Sequence, residues 1–146
     1  MYKHILLPTD GSSASEAAVQ ACFQLARQLG AKVTGLHVLP EFHVFTYKTE
    51  MLEDTRAQFV KDSEEHARKI LSPVERLAQE TGVICSTMHV VSDDPYEAII
   101  QVAQDSQCDL IVMASHGRKG VKGLLLGSET QKVLTHSRIP VLVYRE

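Results

Sequence analysis

The chain of 146 residues contains only three cysteines, Cys22, Cys85 and Cys108, set far apart and without CxxC or cysteine/histidine spacing. That excludes a zinc or redox motif of the usual kind and leaves buried, reduced thiols as the expectation. No apolar run approaches the ~18 residues of a membrane span. The opening "MYKHILLPTD" carries no signal-peptide hydrophobic region, so a cytoplasmic protein is expected. An excess of either charge is also missing. With a net charge of −3, neither nucleic acid nor an anionic membrane is an expected partner. There is no internal repeat, low-complexity tract or linker, and residues 1–146 read as one domain able to bury a real core.

What is present is an ordinary globular composition, 44% apolar and 23% charged, arranged in alternation. "HILLPT" (4–9) is a compact apolar run, read as the first strand. "DGSSASEAA" follows, where Ser13 and Glu16 have capping-box spacing for a helix. Ala18, Cys22, Leu25, Ala26 and Leu29 recur at helical spacing, with Gly30 as C-cap. "KVTGLHVL" (32–39) is the second strand, "EFHVFTYKTEM" an irregular excursion, and a long helix covers roughly 50–81. Pro73 either kinks that helix or begins a second one. Gly82 closes it, and 83–91 is the third strand. Asp94 and Pro95 open the next helix as N-cap and first turn. The fourth strand is 109–115, a short helix spans about 128–136, and the fifth strand is 140–145.

Five short apolar strands alternating with helices imply an α/β fold, a parallel sheet covered on both faces. In a doubly wound sheet of order 3-2-1-4-5, the switch point falls between strands 1 and 4, and ligands sit there beyond the carboxyl ends. The two loops richest in chemistry follow those same strands. One is "PTDGSS". The other is "SHGRKG", inside "MASHGRKGVKGLLLGSETQKVL" (113–134), which packs glycines, His116 and the cations Arg118, Lys119 and Lys122 together. Backbone freedom and positive charge before a helix start suit a phosphate group, which helix N-termini bind through amides and dipole. A flexible connection with solvated lysines is the plainer alternative, as is a Ser128–Gln131 capping box for the helix start.

These residues resemble the universal stress protein family, in its nucleotide-binding branch. The likeness covers essentially the whole chain: "ILLPTDGSSAS", "LHVLPE", and the segment from Asp109 to Tyr144. The family pattern is Gly, two residues, Gly, nine residues, then Gly-Ser or Gly-Thr. Here Ala114 stands in place of the first Gly, Gly117 matches the second, and Gly127-Ser128 follow at the expected distance. If position 114 needs positive φ, its methyl group costs about 1–2 kcal/mol; if φ is negative, the cost is near zero.

The resemblance implies a Rossmann-like fold of the adenine nucleotide alpha hydrolase type and bound ATP, AMP or another adenine nucleotide, with Mg²⁺. It places Pro8, Thr9 and Asp10 against the adenosine, with Asp10 near ribose, phosphate or the metal. Val38 would offer its main chain to the adenine edge, and Met113, Ala114, Ser115, His116 and Arg118 would line the pocket. Gly117, Gly127, Ser128, Glu129 and Thr130 would seat the phosphates, largely through main-chain N–H groups. For Asp10 the alternative is a turn residue bonding its own backbone; for Met113, a core residue.

The implied function is a stress-response sensor or regulator that acts through its bound state. The alternatives are a nucleotide-free interaction protein of the same family and a slow adenine-nucleotide hydrolase. No Walker-type loop is present and Asp10 is the single plausible acid, which speaks against fast turnover. The final strand, with Pro140 and Tyr144 near its ends, would be an apolar edge with little charge, so a homodimer through it is expected.

Overall fold

The computed structural model describes residues 1–43, 49–117 and 125–145, with side chains in the second range described from residue 55 onward. Its elements are β1 (His4–Pro8), α1 (Ser13–Leu29), β2 (Lys32–Leu39), α2 (Thr49–Thr81), β3 (Cys85–Val91), α3 (Pro95–Asp105), β4 (Leu110–Ala114), α4 (Ser128–His136) and β5 (Val141–Tyr144). All strand pairs are parallel and the order is β3-β2-β1-β4-β5, as the doubly wound pattern requires. The excursion after β2 falls partly on residues 44–48, outside the described residues.

Strand side chains alternate between faces, and the two cores follow that period. Ile5, Leu7, Leu110 and Val112 pack against Val19, Phe23 and Ala26 of α1 and Val74 of α2. Leu6, Ile111 and Met113 face the other way, onto Ile99 and Val102 of α3 and Val133 of α4. Full burial of both residue sets explains why β1 and β4 read as unbroken apolar runs.

Several local expectations change. The cap of α1 is Ser12, not Ser13: its hydroxyl accepts from the Ser15 amide at 3.2 Å. The preceding turn delivers the chain to the helix one residue early. Pro73 neither splits nor ends α2, which continues to Thr81. Neighbouring Val74 is buried against Gly35 of β2, where an added Cβ would stand 3.1 Å from it. Helix packing across this bare strand position offsets the backbone bond that proline removes. Asp94 makes no side-chain cap on α3. Cys22 and Cys108 are buried as expected, and burial pushes their thiols up to about 12 and about 11. Cys85 is only half-buried, because it lies on β3 at the sheet edge.

Candidate functional site

The sheet order sets the carboxyl ends of β1 and β4 side by side, where the winding reverses. After Pro8 one further ladder bond forms, from the Thr9 amide to the Leu36 carbonyl at 2.9 Å. The chain then turns through Gly11, whose φ of +77° is the left-handed conformation glycine adopts without strain. Asp10 holds this turn: its Oδ1 accepts from the Ser12 amide and the Ser15 hydroxyl, each at 2.9 Å. Asp10 is therefore a turn residue bonding its own backbone. Its second carboxylate oxygen faces the other turn. A Cβ on Gly117 would stand 2.5 Å from Asp10 Oδ2, so no larger residue fits there unless Asp10 moves.

The β4 turn is tied down from three directions. The Ser115 amide donates to the Tyr144 carbonyl at 3.0 Å, and its own carbonyl accepts from the Gly127 amide at 2.7 Å. Its hydroxyl pairs with His116 Nδ1 at 3.1 Å. Gly127 has φ −61°, which any residue adopts. Glycine is needed there for closeness instead, since a Cβ would meet His116 Cα at 3.0 Å and the Ser115 carbonyl oxygen at 3.4 Å.

Gly127 is the N-cap of α4 and no side chain caps this helix. The Ser128–Gln131 capping box does not form. Gln131 sends its side-chain amide to the Leu126 carbonyl and its main-chain amide to that of Gly127. The amides of Ser128, Glu129 and Thr130 meet no acceptor among the described residues, and the positive end of the helix dipole adds to their pull on an anion. Two of these residues have committed side chains. The buried Thr130 hydroxyl donates to the Ala114 carbonyl at 2.9 Å. Glu129 accepts from the Tyr96 amide at 3.0 Å, capping the start of α3. What this helix end presents is main chain and the exposed Ser128.

On the opposite side of the crevice, β2 outlasts β1. The Leu36 carbonyl faces β1, and main-chain groups two residues apart point the same way. Val38 accordingly turns its N–H and C=O to the same side, beyond the last β1–β2 pair, Pro8 with Leu36. Met113 belongs to the core on the α3/α4 side, not to the turns. Ala114 is not among the residues with positive φ. It ends β4 and packs its methyl group against Ala14 and Ala18 of α1. Replacing the family's glycine thus costs no backbone strain. Arg118, Lys119 and Lys122 lie outside the described residues.

Sequence reasoning passed over His37. It is buried, and its Nδ1–H donates to the Thr9 carbonyl at 2.8 Å, bracing the β1 turn from below. Burial holds its imidazole below the usual histidine range. The histidine was visible in "LHVLPE", but nothing in the spacing joins it to Thr9. Ser15 was overlooked for the same reason.

Residues 1–145 match the profile of the universal stress protein family. The chain is similar to "Universal stress protein MJ0531" of Methanocaldococcus jannaschii, at 30% identity over 146 residues, covering all of this chain and 84% of that protein. The solved structure of MJ0577, from the same organism, is 31% identical with a TM-score of 0.85, covering 100% of this chain and 97% of that one. A universal stress protein crystallised in complex with cAMP is 25% identical with a TM-score of 0.71, covering 98% and 97%.

Proposed function

From its membership of the universal stress protein family, to which this chain belongs, we propose that it binds an adenine nucleotide in the crevice between β1 and β4. ATP is the form that the resemblance implies, and regulation through the bound state is the role. The observation that carries this reading is the contact between the two turns. Asp10 of the β1 turn lies against Gly117 of the β4 turn, and within the connection from β4 to α4 Gly127 lies against His116, both too close for a side chain unless a neighbour gives way. Backbone this close lets a ligand's phosphates reach amides directly. The neighbour holding cAMP supports an adenine nucleotide as the class of ligand.

In this reading the α4 amides and Gly117 take the phosphates, and Arg118 adds charge. The main-chain edge of Val38 meets the adenine, while Pro8, Thr9 and His116 bound the sugar. The second oxygen of Asp10, a hard carboxylate donor, suits an Mg²⁺ carried by the nucleotide. That ion would supply neutralisation of the phosphate tail. Ala114 no longer argues for a degenerate, nucleotide-free site, because its methyl group points into the α1 packing. The outer edge of β5 has no strand beside it among the described residues, and Leu142 is 40% exposed there. A two-fold partner pairing along 140–144 covers that edge. Sedimentation at micromolar concentration should show a dimer, and a clean monomer would remove the pairing.

The deciding experiment is calorimetry with ATP, AMP and cAMP, each with and without Mg²⁺. At least one should bind, and Gly127→Val should weaken it by more than about tenfold, or about 1.4 kcal/mol. Circular dichroism serves to show that the variant is folded. Equal affinity in a folded Gly127→Val would end the proposal, and so would silence from all three nucleotides.

A further inference from the structure

A second cluster stands on the same edge of the sheet, at the ends of β2 and β3, and the nucleotide reading makes no use of it. Glu41 and His43 follow β2, and Asp93 follows β3. Each offers one ligand atom, and the three atoms lie within 4.8 Å of one another. Asp93 is already oriented: its Oδ1 accepts from the Glu41 amide at 3.0 Å, and its Oδ2 pairs with His43 Nε2.

We propose that Glu41, His43 and Asp93 form a binding site for a divalent transition-metal ion of the zinc type. One imidazole nitrogen with two carboxylate oxygens is a borderline donor set, and three protein ligands leave a fourth position open to water. Ligands ~2.1 Å from a zinc ion stand about 3.4 Å apart at tetrahedral angles. An entering ion would take the place of the hydrogen bond between His43 and Asp93, and both side chains are exposed enough to part to that separation. As an ion pair alone, His43 and Asp93 are 60% and 42% exposed and add little to stability. A metal would do more, fastening the segment after β2 to the turn before α3. Glu41 also lines a cleft of about 550 Å³, walled by Leu39, Phe42, Phe59 and Val91. The ion would sit at the rim of that cleft. Mg²⁺ is a poor fit, since it demands oxygen ligands in an octahedron. The site is independent of the crevice between β1 and β4.

The test uses tag-free, nucleotide-free protein titrated with Zn²⁺ by calorimetry, and with Co²⁺ as an optical reporter. One equivalent should bind with micromolar affinity, unaffected by excess Mg²⁺. His43→Ala and Asp93→Asn should each weaken binding at least about tenfold. His66 and His89 are the control, because both lie near His37 on the same edge. A His66→Ala/His89→Ala double variant should bind as the native chain does. The site would be overturned by no Zn²⁺ bound by the native chain, full affinity in His43→Ala, or loss in the double variant. A thiolate charge-transfer band with Co²⁺ would assign the ion to cysteine and refute it equally.

Discussion

The turns after β1 and β4 and the loops after β2 and β3 share one edge of one sheet, yet they are built from opposite materials. The first pair is made of main chain: a Cβ at Gly117 or Gly127 would press on Asp10 or His116, and Thr130 and Ser115 are buried with their hydrogen bonds made internally. The second pair is made of exposed side chains, Glu41, His43 and Asp93, on open backbone. A site of the first kind would recognise by shape and amide direction, and altering it presses on the packing of the turns as well. A site of the second kind recognises by donor chemistry and can be erased at no structural cost.

The sharpest way to break that contrast is to cut one polar link in each region. Thr130→Val leaves the buried Ala114 carbonyl without its donor and should cost about 1–3 kcal/mol in denaturant unfolding. Nucleotide affinity should fall with it, since the start of α4 loses its tether to β4. Asp93→Asn, on exposed loops, should leave the unfolding midpoint in place while weakening Zn²⁺ binding at least about tenfold. If both variants unfolded alike, the two regions would not differ as described.

Acid provides a second, smaller test. Burial holds His37, and likewise His4 at the other end of the sheet, below the ordinary histidine value of 6.5 in the folded chain. His37 faces His66 and His89, which lower it further, while Asp10 and the Thr9 carbonyl raise it. The unfolded chain therefore binds more protons in the window just below that value. Stability is fully present above about pH 6.5 and is lost as pH falls through the folded values. The melting temperature should drop across that window, and His37→Asn should flatten part of the fall. A slope unchanged in the variant would mean that His37 is not the source.

The smallest expected effect belongs to Ala114→Gly, which restores the family's residue. With no positive φ to relieve, nucleotide affinity should stay the same. Losing the methyl contact with Ala14 and Ala18 should cost about 0.5–1 kcal/mol in stability. A marked gain in affinity would show that the methyl group obstructs the crevice after all.

The order of elements, β2 at Lys32–Leu39, and the C-caps at Gly30 and Gly82 were all legible beforehand. Periodicity and glycine placement are local properties, written in consecutive residues. The bare positions at Gly117 and Gly127 were legible too, because close backbone approach leaves its mark in where glycine stands. The cap at Ser12, the unbroken α2 through Pro73 and the half-buried Cys85 were not. Each depends on what packs across from it: the Asp10 turn, Gly35, and an edge strand.

Residues in sequence determined, on their own, a doubly wound parallel sheet and a glycine-bounded turn at its switch point. Hydrophobic period and backbone freedom act over a few residues and need no partner to be read. The tertiary structure alone decided that Asp10 meets Gly117, that His37 braces Thr9, and that Asp93 reaches His43. Those pairs are distant along the chain, and only parallel strand register brings their ends to the same edge.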